Sequence, residues 1–297
     1  MAQKIAIVSG KGGTGKTTVS LNLYHFFNKA YNKHAFLVDC DVEEPNDHLF
    51  FSDLYEQFSE DVFQMVASIQ LNSCIFCRHC VEYCEYNAIT VIPPVKYAKI
   101  EASLCHSCGA CFVACQYNAI HKIPNKIGTY KQFASSSGVS LIEGELEIGS
   151  PMQTTLIKEV KKRTNNEADY IIYDAPPGTS CPVVETVSDA DFVVLVTEPT
   201  PFGLHDLKLT VDLMRNINKS IAVIINKADL GFKEIHHYLK KENIDLIGEI
   251  PFSKEYASKY AKGDILTNIS PNFEEIYLNI ISKIIKKLDS NEGTNYS

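Results

Sequence analysis

Two runs of four cysteines carry the most specific chemistry in this sequence. Both follow the spacing C-x2-C-x2-C-x3-C, the first from Cys74 to Cys84 and the second from Cys105 to Cys115. Thiolates spaced in this way bind [4Fe–4S] clusters, and the fourth cysteine of each run goes to the other cluster. The predicted ligand sets are Cys74, Cys77, Cys80 and Cys115 for the first cluster, and Cys105, Cys108, Cys111 and Cys84 for the second.

Two other uses of cysteine explain these runs less well. Disulfide frameworks belong to exported proteins, whereas this N-terminus leads directly into a predicted strand and a glycine loop, without a signal peptide. Structural zinc sites usually pair two separated Cys-x2-Cys units, so the third closely spaced cysteine of each run would be superfluous. Iron–sulfur binding is therefore the favoured interpretation.

A second chemical motif lies between a predicted strand over residues 4–9 and a predicted helix over residues 17–31. It satisfies the pattern G-x4-G-K-[ST], in which glycines let backbone N–H groups surround phosphates. Lys16 should reach the β- and γ-phosphate oxygens, and Thr17 should bind Mg²⁺. The predicted nucleotide-binding residues of this loop are Gly10, Lys11, Gly12, Gly13, Thr14, Gly15, Lys16, Thr17 and Thr18.

The elements that must position these residues alternate between short apolar strands and helices. This alternation predicts an α/β fold with a doubly wound parallel sheet, whose ligands bind at the carboxyl ends of the strands. Further strands are predicted at residues 35–38, 170–173, 192–197, 221–225 and 246–250, and further helices at residues 153–163, 204–216, 235–242 and 256–262.

The alternation stops between residues 66 and 126, where the cysteine runs and their flanks repeat. The segment CEYNAI from Cys84 corresponds to CQYNAI from Cys115, which indicates an internal duplication. The region resembles a two-cluster bacterial ferredoxin, although Glu85 and Gln116 stand where ferredoxins usually have proline. We therefore predict a P-loop NTPase domain over residues 1–65 and 127–288, an inserted small α+β ferredoxin-like domain over 66–126, and a disordered tail over 289–297.

The loop sequence GKGGTGKTT resembles the deviant P-loop of the MinD/ParA/Mrp ATPases and of the nitrogenase iron protein. In that family the additional lysine, here Lys11, reaches across a dimer interface onto the partner's nucleotide. The resemblance implies a homodimer with ATP sandwiched between its subunits. It also implies that Lys11 and Lys16 both take part in hydrolysis.

Two further segments resemble the switch regions of this family. Residues 39–46 read DCDVEEPN, and by this match Asp41 positions the attacking water while Asp39 lies near Mg²⁺. Residues 173–179 read YDAPPGT, and by this match Asp174 is the carboxylate that binds Mg²⁺. A carboxylate that ends an apolar strand beside a phosphate loop suits a metal that prefers oxygen ligands.

Three residues are expected on the base side of the nucleotide. Asn226 and Asp229 belong to the segment NKAD, which follows a predicted strand and also fits the guanine motif N-K-x-D of GTPases. Pro251 resembles the base-side loop of the ATPase family. The NKAD segment leaves the choice of base open, but the resemblance of the phosphate loop favours ATP.

Composition narrows the range of partners. The chain has 297 residues and a formal net charge of −8 at pH 7, which disfavours nucleic-acid binding because phosphate backbones require basic surfaces. No apolar run is long enough to span a bilayer, so the sequence predicts a cytoplasmic protein without membrane insertion.

The combined motifs predict a Mg-ATP-dependent switch ATPase that carries two [4Fe–4S] clusters. In the favoured interpretation, hydrolysis drives low-potential electron transfer to a redox partner, because fully ligated clusters suit electron transfer. The alternative is assembly or delivery of clusters to an apo-metalloprotein, as Mrp-type carriers do. A third possibility is a ParA/MinD-like positioning ATPase with structural clusters.

Overall fold

The computed structural model describes residues 2–31, 33–135, 140–164, 168–264, 266 and 269–292. These residues divide into two compact units. The larger unit contains residues 1–59, 130–145 and 157–297, and the smaller unit contains residues 60–129 and 146–156, apart from the positions left out above.

The described strands form one large sheet and one hairpin. The strands are β1 (Gln3–Val8), β2 (Ala35–Asp39), β3 (Tyr55–Ile69), β4 (Ile89–Ile92), β5 (Tyr97–Ile100), β6 (Ile120–Ala134), β7 (Ser140–Leu146), β8 (Tyr170–Asp174), β9 (Phe192–Thr197), β10 (Ile221–Asn226) and β11 (Leu246–Ile250). The order in the large sheet is β11-β10-β9-β1-β8-β2-β7-β6-β3. From β11 to β7 the neighbouring strands pair in parallel, which confirms the predicted α/β fold.

The helices of the described residues follow the strands in the manner of a doubly wound fold. They are α1 (Lys16–Lys29), α2 (His79–Glu82), α3 (Ala110–Ala114), α4 (Gln153–Lys162), α5 (Cys181–Val187), α6 (Pro201–Asn216), α7 (Glu234–Lys241), α8 (Lys254–Tyr260) and α9 (Pro271–Glu292).

The core of the larger unit lies between the central strands and helices α1 and α9. Strands β2, β8 and β9 are buried at every position, because parallel strands covered on both faces require continuous apolar side chains. Phe26 of α1 and Tyr277 of α9 stack with ring centroids 5.9 Å apart. This packing fixes α1, the helix that begins at the phosphate loop.

The smaller unit repeats its backbone conformation as the sequence duplication predicts. Left-handed backbone occurs at Phe76 and Ser107, at Arg78 and Gly109, and at Asn87 and Asn118, which are equivalent positions of the two repeats. Helices α2 and α3 begin directly after Arg78 and Gly109. The apolar core of this unit includes Val66, Ile89, Val91 and Ile120 together with Cys80, Cys105 and Cys111.

Several elements of the structure were not predicted individually, among them β3, β6, β7 and α5. Strands β3 and β6 have 15 residues each and continue from the larger unit into the smaller one. Helix α9 extends to Glu292, so the first part of the predicted disordered tail is helical. Residues 293–297 of that prediction lie outside the described residues.

None of the described helices combines the length and the apolar character that crossing a bilayer requires.

Candidate functional site

The phosphate loop connects β1 to α1 through two glycines with left-handed backbone. Gly13 has φ 76° and Gly15 has φ 96°, backbone conformations that residues other than glycine rarely adopt. A Cβ atom on Gly15 would also lie 2.2 Å from Nδ2 of Asn226. Helix α1 begins at once with Lys16, which is almost fully buried. The loop therefore has the geometry of a helix N-terminus that binds phosphate.

Three carboxylates lie side by side on neighbouring strands, two of them at the carboxyl ends of β2 and β8 and one within β7. Asp39 of β2 is in register with Asp174 of β8 and with Glu143 of β7. All three are buried. Because parallel strands end at the same edge of the sheet, this edge presents concentrated negative charge beside the phosphate loop.

Asp174 is held by two hydroxyl groups of α1. The Thr17 hydroxyl donates to Oδ2 at 2.7 Å, and the Ser20 hydroxyl donates to Oδ1 at 2.9 Å. The residue predicted to bind Mg²⁺ through its hydroxyl thus already contacts the carboxylate predicted to bind the same ion. This arrangement links the phosphate loop directly to the second switch segment.

Asp39 organises the backbone of the first switch segment. Its Oδ1 accepts the N–H of Asp41 at 2.9 Å, and its Oδ2 accepts the N–H of Asn46 at 2.9 Å and of Asp47 at 3.2 Å. Burial, together with the charges of Asp174 and Glu143, raises the pKa of Asp39 well above its usual value. Its carboxylate therefore shapes the loop in addition to facing the predicted metal region.

Asp41 and Asp47 extend this acidic region. Burial raises the pKa of Asp41 to about 6, against the opposing charge of Lys16, which carries the phosphate-binding amine. Burial and the charge of Asp39 raise the pKa of Asp47 well above its usual value, and among the described residues neither carboxyl oxygen of Asp47 has a hydrogen-bond partner. The region is thus short of positive charge, which favours the binding of a cation.

The lysine that resembles the family's additional lysine is engaged within the chain. Lys11 Nζ lies 2.8 Å from Oε1 of Glu198, and Lys227 Nζ lies 3.0 Å from Oε2 of the same carboxylate. Partial burial acts to raise the pKa of Glu198, but the hydrogen bonds from the two lysines lower it overall. Glu198 therefore holds an ionised bridge between the phosphate loop and the segment after β10.

An open cleft with a volume of about 250 Å³ extends from the phosphate loop to the segment after β11. The phosphate loop and α1 line the cleft with Gly13, Gly15, Lys16, Thr17 and Thr18, and Asn226, which contacts the loop, lines it beside them. Pro251, Phe252, Tyr256 and Phe273 also line it, and the rings of Tyr256 and Phe273 stack at 4.7 Å. A cleft that combines phosphate-binding groups with apolar rings suits a nucleotide.

Two of the predicted base contacts serve the protein itself. The side-chain amide of Asn226 donates to the Thr14 carbonyl at 2.8 Å, and its Oδ1 accepts the N–H of Lys227. The Asp229 carboxylate accepts the N–H of Phe252 at 2.7 Å. Both side chains thus position the loops that line the cleft, whereas Pro251 lies in its wall.

The cysteines of the smaller unit line two separate pockets. Cys74, Cys77 and Cys80 share one pocket with Cys115, and Cys105, Cys108 and Cys111 share the other with Cys84. Burial raises the pKa of Cys80, and the neighbouring thiols of Cys74, Cys77 and Cys115 raise it further. The structure thus brings together the two sets that the spacing predicts, including the exchange of the fourth cysteine.

A site for a single metal ion would need several ligating side chains close together. Among the residues that the structure describes, no group of three or more His, Cys, Asp or Glu side chains is arranged to hold one metal ion. Each cysteine pocket is nevertheless lined by four cysteines, the number of thiolates that a [4Fe–4S] cluster takes.

Four residues of the site were not predicted from the sequence: Asp47, His48, Glu143 and Glu198. Glu198 directly follows β9, and its position at the end of a buried parallel strand could have indicated a residue of the site. Glu143 lies within β7, a strand that was itself missed. His48 binds this Glu143 through its backbone N–H and its ring, and no spacing in the sequence indicates that pair.

Comparison with known proteins agrees with the fold and the phosphate loop. Residues 5–267 match the model of the CobQ/CobB/MinD/ParA nucleotide-binding domain. The uncharacterized protein MJ0578 of Methanocaldococcus jannaschii is 34% identical over 280 residues, which cover 92% of this chain and 95% of that protein. The iron–sulfur cluster carrier protein of Pyrococcus furiosus is 23% identical over 319 residues, covering 98% of this chain and 88% of the carrier.

Solved structures show the same architecture. The cell division ATPase MinD of Pyrococcus furiosus superposes with a TM-score of 0.58 at 19% identity, over 96% of this chain and 99% of that one. The MinD protein of Pyrococcus horikoshii with Mg-ADP gives a TM-score of 0.59 at 16% identity, over 98% and 99%. The family match spans most of the chain and confirms the family to which the sequence motifs point. This protein therefore belongs to the CobQ/CobB/MinD/ParA family, within the MinD/ParA/Mrp group of P-loop ATPases.

Proposed function

We propose that this protein is a Mg-ATP-dependent switch ATPase that couples hydrolysis to low-potential electron transfer through two [4Fe–4S] clusters. In this proposal Lys16 binds the β- and γ-phosphates, and Thr17 and Asp174 hold Mg²⁺. Asp41 orients the attacking water, and Asp39 keeps the switch loop in place. The hydrogen bond between Thr17 and Asp174 supports the assignment, because it joins the two expected metal ligands.

ATP is the preferred nucleotide in this proposal. A guanine base would require a free carboxylate at the position of Asp229, but that carboxylate accepts the backbone N–H of Phe252. Asn226 is likewise engaged by Thr14 and Lys227. The base would instead meet the backbone after β11 and the apolar rings of the cleft, which supports ATP over GTP.

The donor set of each cysteine pocket fits a [4Fe–4S] cluster. Such a cluster takes one thiolate at each of its four irons, so its ligands surround it, and each pocket is lined by four cysteines. Of the eight cysteines, Cys80, Cys105 and Cys111 are buried, whereas Cys77 and Cys108 are exposed. When bound, the clusters would supply one-electron transfer. The crossed grouping of the cysteines is the observation that carries this proposal.

We further propose that residues 66–126 form a ferredoxin-like domain inserted into the ATPase of residues 1–65 and 127–288. The chain passes from the first switch segment into β3 and then to Cys74, so a single strand joins the switch segment to the first cysteine run. The active form would be a homodimer with ATP sandwiched between subunits, in which Lys11 leaves Glu198 to act on the partner's nucleotide.

Iron analysis of paired variants tests the cluster assignment. After anaerobic reconstitution the chain should hold about eight irons, four per cluster. Replacing Cys84 by Ser should weaken the cluster of the second run, although Cys84 belongs to the first run in sequence. Cys40→Ser, at a buried cysteine outside both pockets, is the matched control. Iron content far below eight in the wild type would refute the two-cluster proposal.

Hydrolysis is tested by Lys16→Ala beside the control Lys29→Ala, which changes a lysine at the opposite end of α1. We expect the first variant to lose ATPase activity and the second to retain it. Full activity of Lys16→Ala would show that the cleft is not the hydrolytic site.

A second candidate is cluster delivery, which is favoured by the relatives named iron–sulfur cluster carrier proteins. The reduced, reconstituted protein with ATP can be incubated with an apo-ferredoxin acceptor. Nucleotide-dependent oxidation with iron retained would support electron transfer, whereas movement of iron to the acceptor would support delivery. Neither result, with active hydrolysis, would favour the third possibility of a ParA/MinD-like positioning ATPase with structural clusters.

A further inference from the structure

His48 makes three kinds of contact that the nucleotide chemistry does not require. Its backbone N–H donates to Oε1 of Glu143 at 2.9 Å. Its ring Nδ1 lies 2.9 Å from Oε1 and 3.0 Å from Oε2 of the same carboxylate. Its ring also stacks on Phe133, with centroids 5.6 Å apart and planes 9° apart. One residue thus contacts β7 by hydrogen bonds and β6 by its ring.

The burial of Glu143 makes this contact costly to lose. The Glu143 side chain is only 2% exposed, whereas the His48 side chain is 36% exposed. Burial raises the pKa of Glu143, and the charge and hydrogen bonds of His48 oppose that shift. A buried carboxylate that loses its hydrogen bonds keeps the full cost of its desolvation. Movement of His48 away from β7 would therefore change the environment of Glu143.

On its other side, His48 belongs to the first switch segment. It lies in the 3₁₀ turn Asp47–Phe50, whose first residue donates its backbone N–H to Asp39. Asp39 also accepts the N–H groups of Asp41 and Asn46. Any rearrangement of this segment around a bound nucleotide therefore acts on a turn that begins at Asp47 and contains His48.

One of the two strands that His48 contacts, β6, begins shortly after the second cysteine run. β6 and β7 are neighbours in the large sheet, and an ion pair between Lys131 and Glu145 also joins them. β6 is one continuous strand that begins at Ile120, soon after Cys115, and ends at Ala134. The ring of His48 thus rests on the same strand that carries the chain away from the second cysteine run.

We propose that His48 is a positioning residue that transmits the state of the first switch segment to β6 and β7. The inference rests on the proposed nucleotide switch and adds the path by which that switch reaches the cysteine-bearing part of the chain. The Glu143 hydrogen bond carries the transmission, and the Phe133 stack keeps the ring on β6.

Hydrogen exchange of the full-length, reconstituted protein tests this path, with and without Mg²⁺ and the non-hydrolysable analogue AMPPNP. Two peptides are compared, one over residues 40–54 and one over residues 120–134. In the wild type we expect AMPPNP to change exchange in both peptides. His48→Ala should keep the response of the first peptide and reduce that of the second about fivefold, the factor that one hydrogen bond contributes.

Three further variants separate the hydrogen bond from general damage. His48→Asn keeps a donor near the position of Nδ1 and should retain the β6 response, whereas His48→Phe keeps the stack without the donor and should lose it. His236→Ala removes another histidine–glutamate pair, with Glu249 at 2.8 Å, but both partners are exposed. This control should behave like the wild type. The Asn and Phe pair decides the question even if His48→Ala does not fold.

An equal β6 response in the wild type and in both His48→Ala and His48→Phe would overturn the proposal. So would a wild type in which AMPPNP changes residues 40–54 but leaves residues 120–134 unchanged; that result would leave the ATPase assignment intact. A wild type that fails to bind AMPPNP at all would instead overturn the proposed function together with this inference.

Discussion

At the scale of single residues, the two hydroxyl groups that donate to Asp174 differ in their exposure to the cleft. Thr17 and Ser20 both donate to Asp174, but Ser20 is completely buried whereas Thr17 is only half-buried and lines the cleft. Only the Thr17 hydroxyl is therefore placed to exchange its carboxylate partner for a metal ion. Ser20 instead fixes the orientation of Asp174.

The variant Thr17→Ala tests this division. Because it removes a hydroxyl that faces the cleft, we expect a loss of about 10- to 100-fold in apparent Mg²⁺ affinity, the range found when groups that orient a metal site are removed. The measurement is ATPase activity titrated with Mg²⁺ at saturating ATP.

Ser20→Ala is the matched comparison for that titration. It should keep the Mg²⁺ dependence close to the wild type and lower the free energy of unfolding by about 1 kcal/mol, as the loss of one hydrogen bond does. Equal effects of the two variants on the Mg²⁺ titration would contradict the assigned roles.

At the scale of elements, one buried lysine connects three parts of the larger unit. Lys161 of α4 donates to the carbonyl groups of Glu185 and Thr186 in α5 and forms an ion pair with Asp189 at 2.6 Å. Its ammonium group also lies 5.2 Å from the centre of the Tyr173 ring in β8. These contacts hold α4 and α5 against the strand that ends at Asp174.

Replacing Lys161 by Met should therefore lower stability without touching the cleft. We expect the free energy of unfolding in urea to fall by about 2 kcal/mol, because buried carbonyl groups lose a donor while Asp189 remains partly hydrated. The control Lys162→Met removes an exposed neighbour that pairs with Glu159 at the surface. If both variants unfold at the same urea concentration, Lys161 does not connect these elements.

The predictability of the elements follows their burial. The strands β1, β2, β8, β9, β10 and β11 were predicted, because buried parallel strands are short continuous apolar runs. β3 was missed because most of its first half is exposed and polar, which hides the signal of a strand. β6 carries polar residues together with Pro124 and Gly128, which argue against a strand in sequence.

At the scale of the whole molecule, the central question is the association of two chains. Lys11 and Lys227 share the Glu198 carboxylate, so in the single chain the amine of Lys11 is held on its own subunit. Association over bound ATP would replace Glu198 by a phosphate of the partner's nucleotide. The exchange of one anionic partner for another keeps the cost of moving the lysine low.

Lys11→Ala should abolish ATP-dependent dimers while leaving nucleotide binding by the single chain intact. Sedimentation with ATP, in an Asp41→Ala background that slows hydrolysis, measures the association. The control Lys33→Ala removes an exposed lysine whose ion pair with Asp169 lies outside the cleft. A protein that stays monomeric with ATP in the Asp41→Ala background would refute the role of Lys11 across a dimer.

The sequence by itself determined what is local in the chain: the phosphate-loop motif after β1, the aspartates that end β2 and β8, and the repeated cysteine spacing, from which the crossed grouping was predicted. The tertiary structure decided which distant groups complete the site. Asp39 meets Glu143 because β2 lies beside β7, and Glu198 joins Lys11 to Lys227 because β9 lies beside β1 and β10. The physical reason is that buried parallel strands have similar apolar sequences, so their order in the sheet depends on packing rather than on local pattern.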